Sequence, residues 1–582
     1  MHIRSRRPCV RYLCAAVLAI LVLLCGGGLV RRDAIHETLA HWTGEEALGE
    51  QLKGTAALAL LRLTQPPPET APLAPIAGTG VSPYGVNTFL EQEPDPAKVD
   101  RSLAMIADAG FTWIRQQFPW EDIEIAGKGD FWDHKWNVSA WDKYDRLVAS
   151  AEKHGLQIIA RLDNPPAWSR SVDDADGWTL APPDDYADYG DFVYAVVRRY
   201  KGRIRHYQIW NEPNIFPEWG DQPADPAGYT ELLRVAYRRA KEADPDCVII
   251  SAALAQTTEE TPPEFGPRNM SDLLYLEGMY AAGAQDSFDV LGAMVYGLWT
   301  GPYDLRTSRD RTNVSRVQLL REIMVRHGDA HKPIWAAEVG WNALPEDFAG
   351  APMYGRVTLE QQARYAVEAY QRAAREWPWM GVMNYWFFRR PSDAERDQAW
   401  YYFRMVEPDF TPLPVYDALA QLAHEPPVAY MGFHQEDHPA LHYAGAWERV
   451  EDAGAVLGAY VRGSSGASLE VPFDGNRLAL IVRGATLGGR IAVTMDGQPV
   501  ETEHVWEEPH TGATAVTVAR PRAAGPHHAT IRVEEGTLDL DGLIVWHERP
   551  AWGAWVLAGA GVLMAGWALV RTVPLLRRSR RG

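Results

Sequence analysis

Two glutamates each follow an apolar run in a similar sequence setting. Glu212 lies in HYQIWNEPN at 206–214, and Glu338 lies in PIWAAEVGW at 333–341. Cleavage of a glycosidic bond needs two carboxyl groups, because one must protonate the leaving oxygen while the other handles the oxocarbenium-like carbon. A lone glutamate after a strand is usually a solvated loop residue. The pairing and the flanking sequences make this signal more specific.

The chain around these glutamates alternates between strand-like and helix-like runs from about residue 82 to residue 423. Eight such units in roughly 340 residues predict a (β/α)8 barrel with long loops. An open doubly wound sheet is the alternative, but it normally has a glycine-rich phosphate loop after its first strand, and YGVN at 84–87 is not one. The predicted strands are 84–89, 113–117, 157–162, 206–210, 248–253, 290–296, 333–337 and 381–387. The predicted helices include 99–109, 140–154, 186–200, 228–243 and 358–376.

The barrel prediction places both glutamates at one mouth. Residues at the C-terminal ends of barrel strands face the active site, and Glu212 and Glu338 follow the fourth and seventh predicted strands. These strands lie across the ring, so the two side chains can face each other over a bound sugar. Glu212 must have a raised pKa to donate a proton near neutral pH. The charge of Glu338 and partial burial under Trp210 or Trp219 would both raise it.

The motifs resemble those of a known group of enzymes. IWNEPN at 209–214 is similar to the acid/base signature of clan A glycoside hydrolases. IWAAEVGW at 334–341 is similar to the nucleophile signature of the same clan, nearest to family 39 and related to family 5. The resemblance covers the whole barrel. It implies a retaining mechanism with Glu212 as acid/base and Glu338 as nucleophile, their carboxyl groups about 5–5.5 Å apart.

The same resemblance implies roles for four further residues at strand ends. Asn211 would grip the sugar 2-hydroxyl, and Arg115 would keep Glu338 ionised. Tyr296 would donate a hydrogen bond to the nucleophile, and Trp386 would form the platform beneath the sugar. The structural alternatives are an internal ion pair for the arginine and simple packing for the two aromatic residues.

The loop after the third predicted strand supplies two more candidates for substrate binding, Asn164 and Trp168. Family 5 members often carry a histidine near this place, and this chain does not. The positioning roles of Asp163, Asn164 and Trp168 therefore stay open, and Asn87 after the first strand is a weaker candidate for contact with the sugar. Specificity is expected to reside in loops 164–181, 256–271 and 297–312.

Composition narrows the function classes. The formal net charge of −19 argues against a nucleic-acid partner. No HExxH or CxxC motif is present, so neither a metal nor another cofactor is expected. No histidine stands in triad order with a nucleophilic Ser or Cys, so acyl transfer is not supported. The 23 Trp residues suit stacking on sugars, and carbohydrate is the expected substrate, although most Trp residues belong to protein cores.

Two uncharged apolar runs, 12–30 and 552–570, predict transmembrane helices. Each is close to the roughly 20 residues that a helix needs to cross a bilayer. Arginines precede the first run and follow the second, which predicts cytoplasmic termini and an extracytoplasmic catalytic domain at the cell membrane. A cleaved signal peptide is the alternative for the first run, but residues 26–32 offer no A-x-A site.

After residue 426, short alternating runs between Gly, Asp and Pro turns predict a jelly-roll β-sandwich. TMDG at 494–497 and LDLDG at 538–542 loosely resemble galactose-binding-like modules, which would either hold carbohydrate or buttress the barrel. The predicted strands are 467–471, 477–482, 489–495, 513–518, 528–533 and 538–546. The predicted organisation is an anchor (1–31), a membrane-proximal helix with a Pro-rich linker (32–80), the barrel (81–425), the sandwich (430–548), a second transmembrane helix (552–573) and a basic tail (574–582).

Three functions remain open. The first is hydrolysis of a polysaccharide or oligosaccharide, with a presumed β linkage. The second is trimming or transglycosylation of a polysaccharide during export, which anchors at both ends would suit. The third is non-catalytic sugar binding on a decayed barrel, and the intact Glu212, Glu338 and Asn211 count against it.

Overall fold

The computed structural model describes residues 32–171, 180–259, 268–483, 489–500, 504–506 and 513–547, in two compact units. The described part of the first unit comprises 32–66 and Tyr303–Arg306, and it contains the helices α1 (Arg32–Thr43) and α2 (Leu48–Thr64). The apolar runs predicted to cross a membrane lie outside the described residues. Within the described residues, no helix is long and apolar enough to span a membrane.

The second unit contains a ring of eight parallel strands. The hydrogen-bonded order is β7-β6-β5-β2-β1-β10-β9-β8, and bridges between Ile250 and Val290 and between Leu254 and Ala293 join the two end strands. The predicted barrel is therefore confirmed. Its strands are β1 (Tyr84–Thr88), β2 (Trp113–Gln117), β5 (Gln157–Leu162), β6 (His206–Ile209), β7 (Val248–Ile250), β8 (Leu291–Met294), β9 (Ile334–Val339) and β10 (Met380–Tyr385), and a hairpin of β3 (Trp132–Asp133) and β4 (Val138–Ser139) follows β2.

The barrel helices begin at residues that cap exposed backbone N–H groups. Asp95, Asp185 and Asp225 each accept from a backbone N–H in the first turn, and Thr358 and Gln361 form a reciprocal capping box. The helices are α3 (Pro96–Asp108), α4 (Trp120–Ile123), α5 (Trp141–Lys153), α6 (Tyr186–Arg199), α7 (Pro226–Ala243), α8 (Asp272–Ala281), α9 (Val317–Arg326), α10 (Leu359–Glu376) and α11 (Pro414–Ala423).

Layers of side chains fill the barrel interior and leave room for polar groups at the C-terminal end. A layer of large residues, which includes Trp113 and Trp335, is followed towards the mouth by the smaller Ala253, Met294 and Ala337. The site described below lies beyond this layer, where the pairing of β9 with β8 is irregular and Glu338 directly follows Ala337.

A second, antiparallel domain follows the barrel and has its own apolar core. Two predicted strands, 528–533 and 538–546, form one continuous strand, β21 (Gly525–Trp546). Gly536 (φ 69°) lets this strand continue through a bend, so the glycine that suggested a turn does not end the strand. The other strands are β11 (Gly432–His434), β12 (His442–Ala444), β13 (Trp447–Glu451), β14 (Ala459–Ser464), β15 (Ser468–Gly475), β16 (Arg477–Arg483), β17 (Gly489–Met495), β18 (Gln498–Pro499), β19 (His504–Trp506) and β20 (Ala513–Ala519).

Candidate active site

Glu338 is the buried carboxylate at the centre of the site. It lies inside β9, which extends two residues beyond the predicted end at 337. Its Oε1 accepts a hydrogen bond from Arg115 Nη1 at 2.8 Å, and its Oε2 accepts one from the Tyr296 hydroxyl. Both partners donate to the carboxylate, so each of its oxygens is held in a fixed orientation.

Arg115 connects four strands of the barrel through its guanidinium. Besides Glu338, it donates to the side-chain oxygens of Asn87, Gln208 and Asn211, each at 2.7 Å. The planar donor set of arginine fixes these acceptors relative to one another. Arg115 therefore links Glu338 on β9 directly to the residue that precedes Glu212.

Asn87 serves this network rather than the cleft. It lies within β1, and its Nδ2 donates to the carbonyl oxygens of Ala337 and Tyr385 at 2.9 and 3.3 Å while its Oδ1 accepts from Arg115. Both ends of the amide are thus occupied by protein, which leaves Asn87 in a different role from the weakly predicted contact with sugar.

Glu212 lies on a sharp turn that begins where β6 ends. Trp210 (φ 72°) and Glu212 (φ 38°) both adopt backbone conformations that are unfavourable for non-glycine residues. The turn is held by two hydrogen bonds, from Glu212 N to Ala253 O at 3.0 Å and from Trp210 Nε1 to Glu218 O at 2.7 Å. The Glu212 side chain remains partly accessible to solvent.

The pKa of Glu212 is raised well above its ordinary value. Burial is the largest cause, and the negative charges of Glu338 and then Glu218 add to it, while Arg115 and Arg161 oppose it. Glu338 therefore lies close enough to Glu212 to influence its ionisation. The site pairs a carboxyl group whose pKa is raised with a carboxylate that accepts hydrogen bonds from two donors, which is the combination that acid and nucleophile roles require.

Glu218 is a third carboxyl group, which the sequence did not reveal. Its pKa is raised to about 7, first by burial and then by the charges of Asp163 and Glu338, against lowering by Arg161 and by a hydrogen bond from Asn211. Arg161 and Asp163, near the end of β5, form an ion pair with Nε–Oδ2 at 2.8 Å. Asn211 is consequently fixed between Arg115 and Glu218, with its oxygen facing the arginine.

A cluster of three aromatic side chains, Tyr296, Tyr354 and Phe403, lies beside Glu212 and Glu338. Tyr296 and Tyr354 both pack edge-on against Phe403, with ring centroids 5.5 and 6.1 Å away. The pKa of the Tyr354 hydroxyl is raised, mainly by burial and then by the charges of Glu212 and Glu338. Tyr354 is thus a neighbour of both glutamates, and it belongs to a loop that carried no sequence signal.

Trp386 is the residue after β10, and its side chain is partly exposed. Its backbone N–H donates to Val339 O at 2.9 Å, which places it next to the end of β9. Its ring packs edge-on against Phe89 at 5.4 Å. A partly exposed indole beside the strand of Glu338 suits the predicted platform, and that role stays a prediction.

Asn164 and Trp168 contact the short helix α4 after β2 and the residue that ends it, Glu124. Asn164 Nδ2 approaches Glu121 Oε1 at 3.4 Å, and Trp168 Nε1 donates to Glu124 O at 2.8 Å while its ring packs edge-on against Trp120. These contacts join two loops at the barrel mouth. Their predicted substrate contacts stay predictions, and part of the predicted loop 164–181 lies outside the described residues.

Several solved structures that resemble this chain are glycoside hydrolases. They include a family 39 enzyme from Bacteroides cellulosilyticus WH2 (17% identity, TM-score 0.44, covering 79% of this chain and 82% of that chain). A GH39 β-xylosidase from Caulobacter crescentus matches at 16% identity and TM-score 0.41, over 80% and 99% of the two chains. A GH5_18 protein from Streptomyces cattleya matches at 14% identity and TM-score 0.42, over 59% and 79%. No family model matches the chain. The families suggested by the motifs, 39 and 5, thus occur among the similar structures.

Proposed function

We propose that this protein is a retaining glycoside hydrolase that cleaves β-linked O-glycosidic bonds. One observation carries the proposal: Glu338 is ion-paired to Arg115 and hydrogen-bonded to Tyr296, while the pKa of the neighbouring Glu212 is raised. The protein therefore holds one carboxyl group ready to attack and another ready to donate a proton near neutral pH.

The proposed reaction is a double displacement. A carboxylate oxygen of Glu338 bonds to the anomeric carbon as the bond to the leaving oxygen breaks, and that oxygen takes the proton of Glu212. Glu212, now a carboxylate, then takes a proton from water. The water oxygen attacks the anomeric carbon and displaces Glu338, which restores both residues and retains the configuration.

Product stereochemistry is the direct test. We expect NMR of the first-formed sugar to show the same anomeric configuration as the substrate, and Glu338→Gln to abolish turnover. An inverted first product would refute the retaining mechanism, and a Glu338→Gln protein with full hydrolytic activity would refute the proposal as a whole.

We also propose that the enzyme is held at the cell membrane with its barrel on the extracytoplasmic side. The two apolar runs and their arginine flanks support this arrangement. The full-length protein should float with membrane vesicles at high salt, and added protease should digest the barrel in spheroplasts. Recovery in the soluble fraction, or a barrel protected until the cells are lysed, would contradict it.

An enzyme placed in this way could instead transfer sugar to a second carbohydrate during polysaccharide export. The anchors favour this second function, because a digestive enzyme gains little from staying on a membrane. Mass spectrometry of products formed with an added oligosaccharide acceptor distinguishes the two, since transfer gives products longer than the substrate.

A further inference from the structure

Exposed large apolar side chains of the barrel unit are concentrated on one face. Among the residues that the structure describes, they occur where a strand leads into the next helix. Four lie between β2 and α5, and the others are Phe216 after β6, Trp299 after β8, Met353 after β9 and Leu359 at the start of α10. Strand-to-helix connections begin on the face that bears the active site, so the segments that carry these side chains start at the mouth. Apolar groups gathered on a protein surface often mark a binding site, and the hairpin of β3 and β4 gathers three of them, Trp132, Trp136 and Val138.

The hairpin of β3 and β4 presents two indole rings to solvent. Trp132 and Trp136 are 41% and 69% exposed. Asp133 accepts backbone hydrogen bonds from Lys135 and Trp136, and the Lys135 ammonium lies 5.1 Å from the Trp136 ring centroid. The turn is therefore organised by its own contacts, while a large part of each indole stays in water, where it gains nothing from burial.

Trp299 lies beside the residues that contact the catalytic pair. Its ring is 60% exposed, and the neighbouring Leu298 carbonyl packs directly against Gly355, where no side chain fits. Gly355 follows Tyr354, and the charges of Glu212 and Glu338 both contribute to the raised pKa of the Tyr354 hydroxyl. The backbone at Trp299 therefore lies against the loop that carries Tyr354, the neighbour of both glutamates.

The loops that carry Trp136 and Trp299 leave the barrel on opposite sides of its mouth. β2 and β8 are the second and sixth strands of an eight-stranded ring, so the loop with Trp136 and the loop with Trp299 begin across the barrel from each other. Phe216 adds a third position, four residues after Glu212, with one face of its ring covered by the Arg268 guanidinium at 4.2 Å.

We propose that Trp136 and Trp299 are sugar-stacking platforms on the two sides of the cleavage point, and that the substrate is a polysaccharide cut within its chain. This inference rests on the proposed function. Pyranose rings carry apolar C–H faces that match the flat face of an indole, and platforms on both sides require sugar residues on both sides of the broken bond. An enzyme that removed single terminal sugars would have no use for both.

The test compares polymers with short substrates on full-length protein. Wild type, Trp136→Ala and Trp299→Ala are assayed on 4-nitrophenyl β-glycosides and on soluble mixed-linkage β-glucan, xylan and galactomannan. We expect wild type to release oligosaccharides first, and each variant to lower the ratio of polymer to aryl-glycoside kcat/KM by about tenfold, the loss of one stacking contact. The control Leu63→Ala, an exposed apolar residue on α2, should leave this ratio at the wild-type value.

The inference and the proposed function can fail separately. Three results would overturn the inference and leave the hydrolase proposal intact: release of monosaccharide alone, cleavage of aryl glycosides but of no polymer, or an unchanged ratio in both Trp variants.

If no glycoside is cleaved, the hydrolase proposal fails. Electrophoresis through gels containing the same polymers then decides the inference, because retardation that both Trp substitutions weaken supports it and unretarded wild type overturns it. If the Trp variants change their oligomeric state while the ratio of polymer to aryl-glycoside kcat/KM is unchanged, the exposed apolar face would instead bind a second copy of this chain, which overturns the inference.

Discussion

Glu338 and Glu212 are the same type of residue at the same mouth, but the barrel surrounds them differently. Glu338 lies within a regular strand, is 5% exposed, and has a donor on each oxygen. Glu212 lies on a strained turn, is partly accessible, and has two other carboxyl groups as its electrostatic neighbours. One set of surroundings stabilises a negative charge, and the other favours retention of a proton.

The comparison shows that the electrostatic surroundings of each carboxyl group depend on its position in the ring rather than on its residue type. β8, the neighbour of β9 in the ring, leads into Tyr296, and Arg115 reaches Glu338 across the barrel interior from β2. The turn after β6 brings Glu218 back towards its own start. A carboxylate held by donors suits attack on carbon, whereas a carboxyl group among carboxylates suits donation of a proton.

The largest expected effect is on activity, and it should depend on the leaving group of the substrate for a Glu212 variant but not for a Glu338 variant. Glu212→Gln should lower kcat/KM about 10³-fold on a glycoside with a poor leaving group, because general acid catalysis is lost. On a 2,4-dinitrophenyl glycoside, which needs no proton, the first step should remain nearly as fast as in wild type. Glu338→Gln should show no turnover of either substrate. Equal losses for both variants on both substrates would remove the assigned difference.

The next effect tests the partners of Glu338. Arg115→Lys keeps the charge but cannot bind Glu338, Asn87, Gln208 and Asn211 together, so we expect kcat to fall about 100-fold, well beyond the loss of one hydrogen bond. Arg203→Lys is the matched control, because Arg203 forms a surface ion pair with Glu152 at 2.6 Å and exposed pairs contribute little. A small loss at Arg115, similar to that of the control, would show that the network is not needed.

A smaller loss is expected when one donor alone is removed. Tyr296→Phe deletes the hydroxyl that bonds Glu338 Oε2 and keeps the ring that packs on Phe403. We expect kcat to fall about tenfold, as for one hydrogen bond to a charged group. Tyr354→Phe is the comparison variant, because Tyr354 packs on the same Phe403 ring. If it lowers kcat as much as Tyr296→Phe does, the special contact of Tyr296 with the nucleophile is contradicted.

Sequence reasoning reached the barrel and the residues at its strand ends because both depend on local pattern. Each of the eight apolar runs predicted for the barrel overlaps an observed strand. Arg115, Asn211 and Tyr296 could be placed by counting along those eight runs. Boundaries differed where side-chain packing extends or shortens a strand: β9 continues through Glu338 to Val339, whereas β6 ends at Ile209.

The missed residues depend on how distant segments meet. Gln208 is an inward-facing polar residue in an apolar strand, a signal that was available in the sequence. Glu218 and Tyr354 lie in loops, and the loop path that brings each one to the glutamates has no periodic pattern from which it could be read. Glu218 matters most among these three, because it changes the electrostatics of Glu212.

The smallest expected effect concerns the pH profile and the third carboxyl group. The pKa of Glu212 is raised by burial, then by Glu338, then by Glu218, so Glu218→Gln removes one cause and the pKa of Glu212 should fall. The alkaline limb of kcat/KM reports loss of the proton from the acid in the free enzyme, and it should therefore move to lower pH. Glu231→Gln, on the exposed surface of α7, should leave the limb in place. A limb that stays in place in Glu218→Gln would show that the proton affinity of Glu212 comes from burial and Glu338 alone, and the contrast between the two glutamates would then rest on fewer groups.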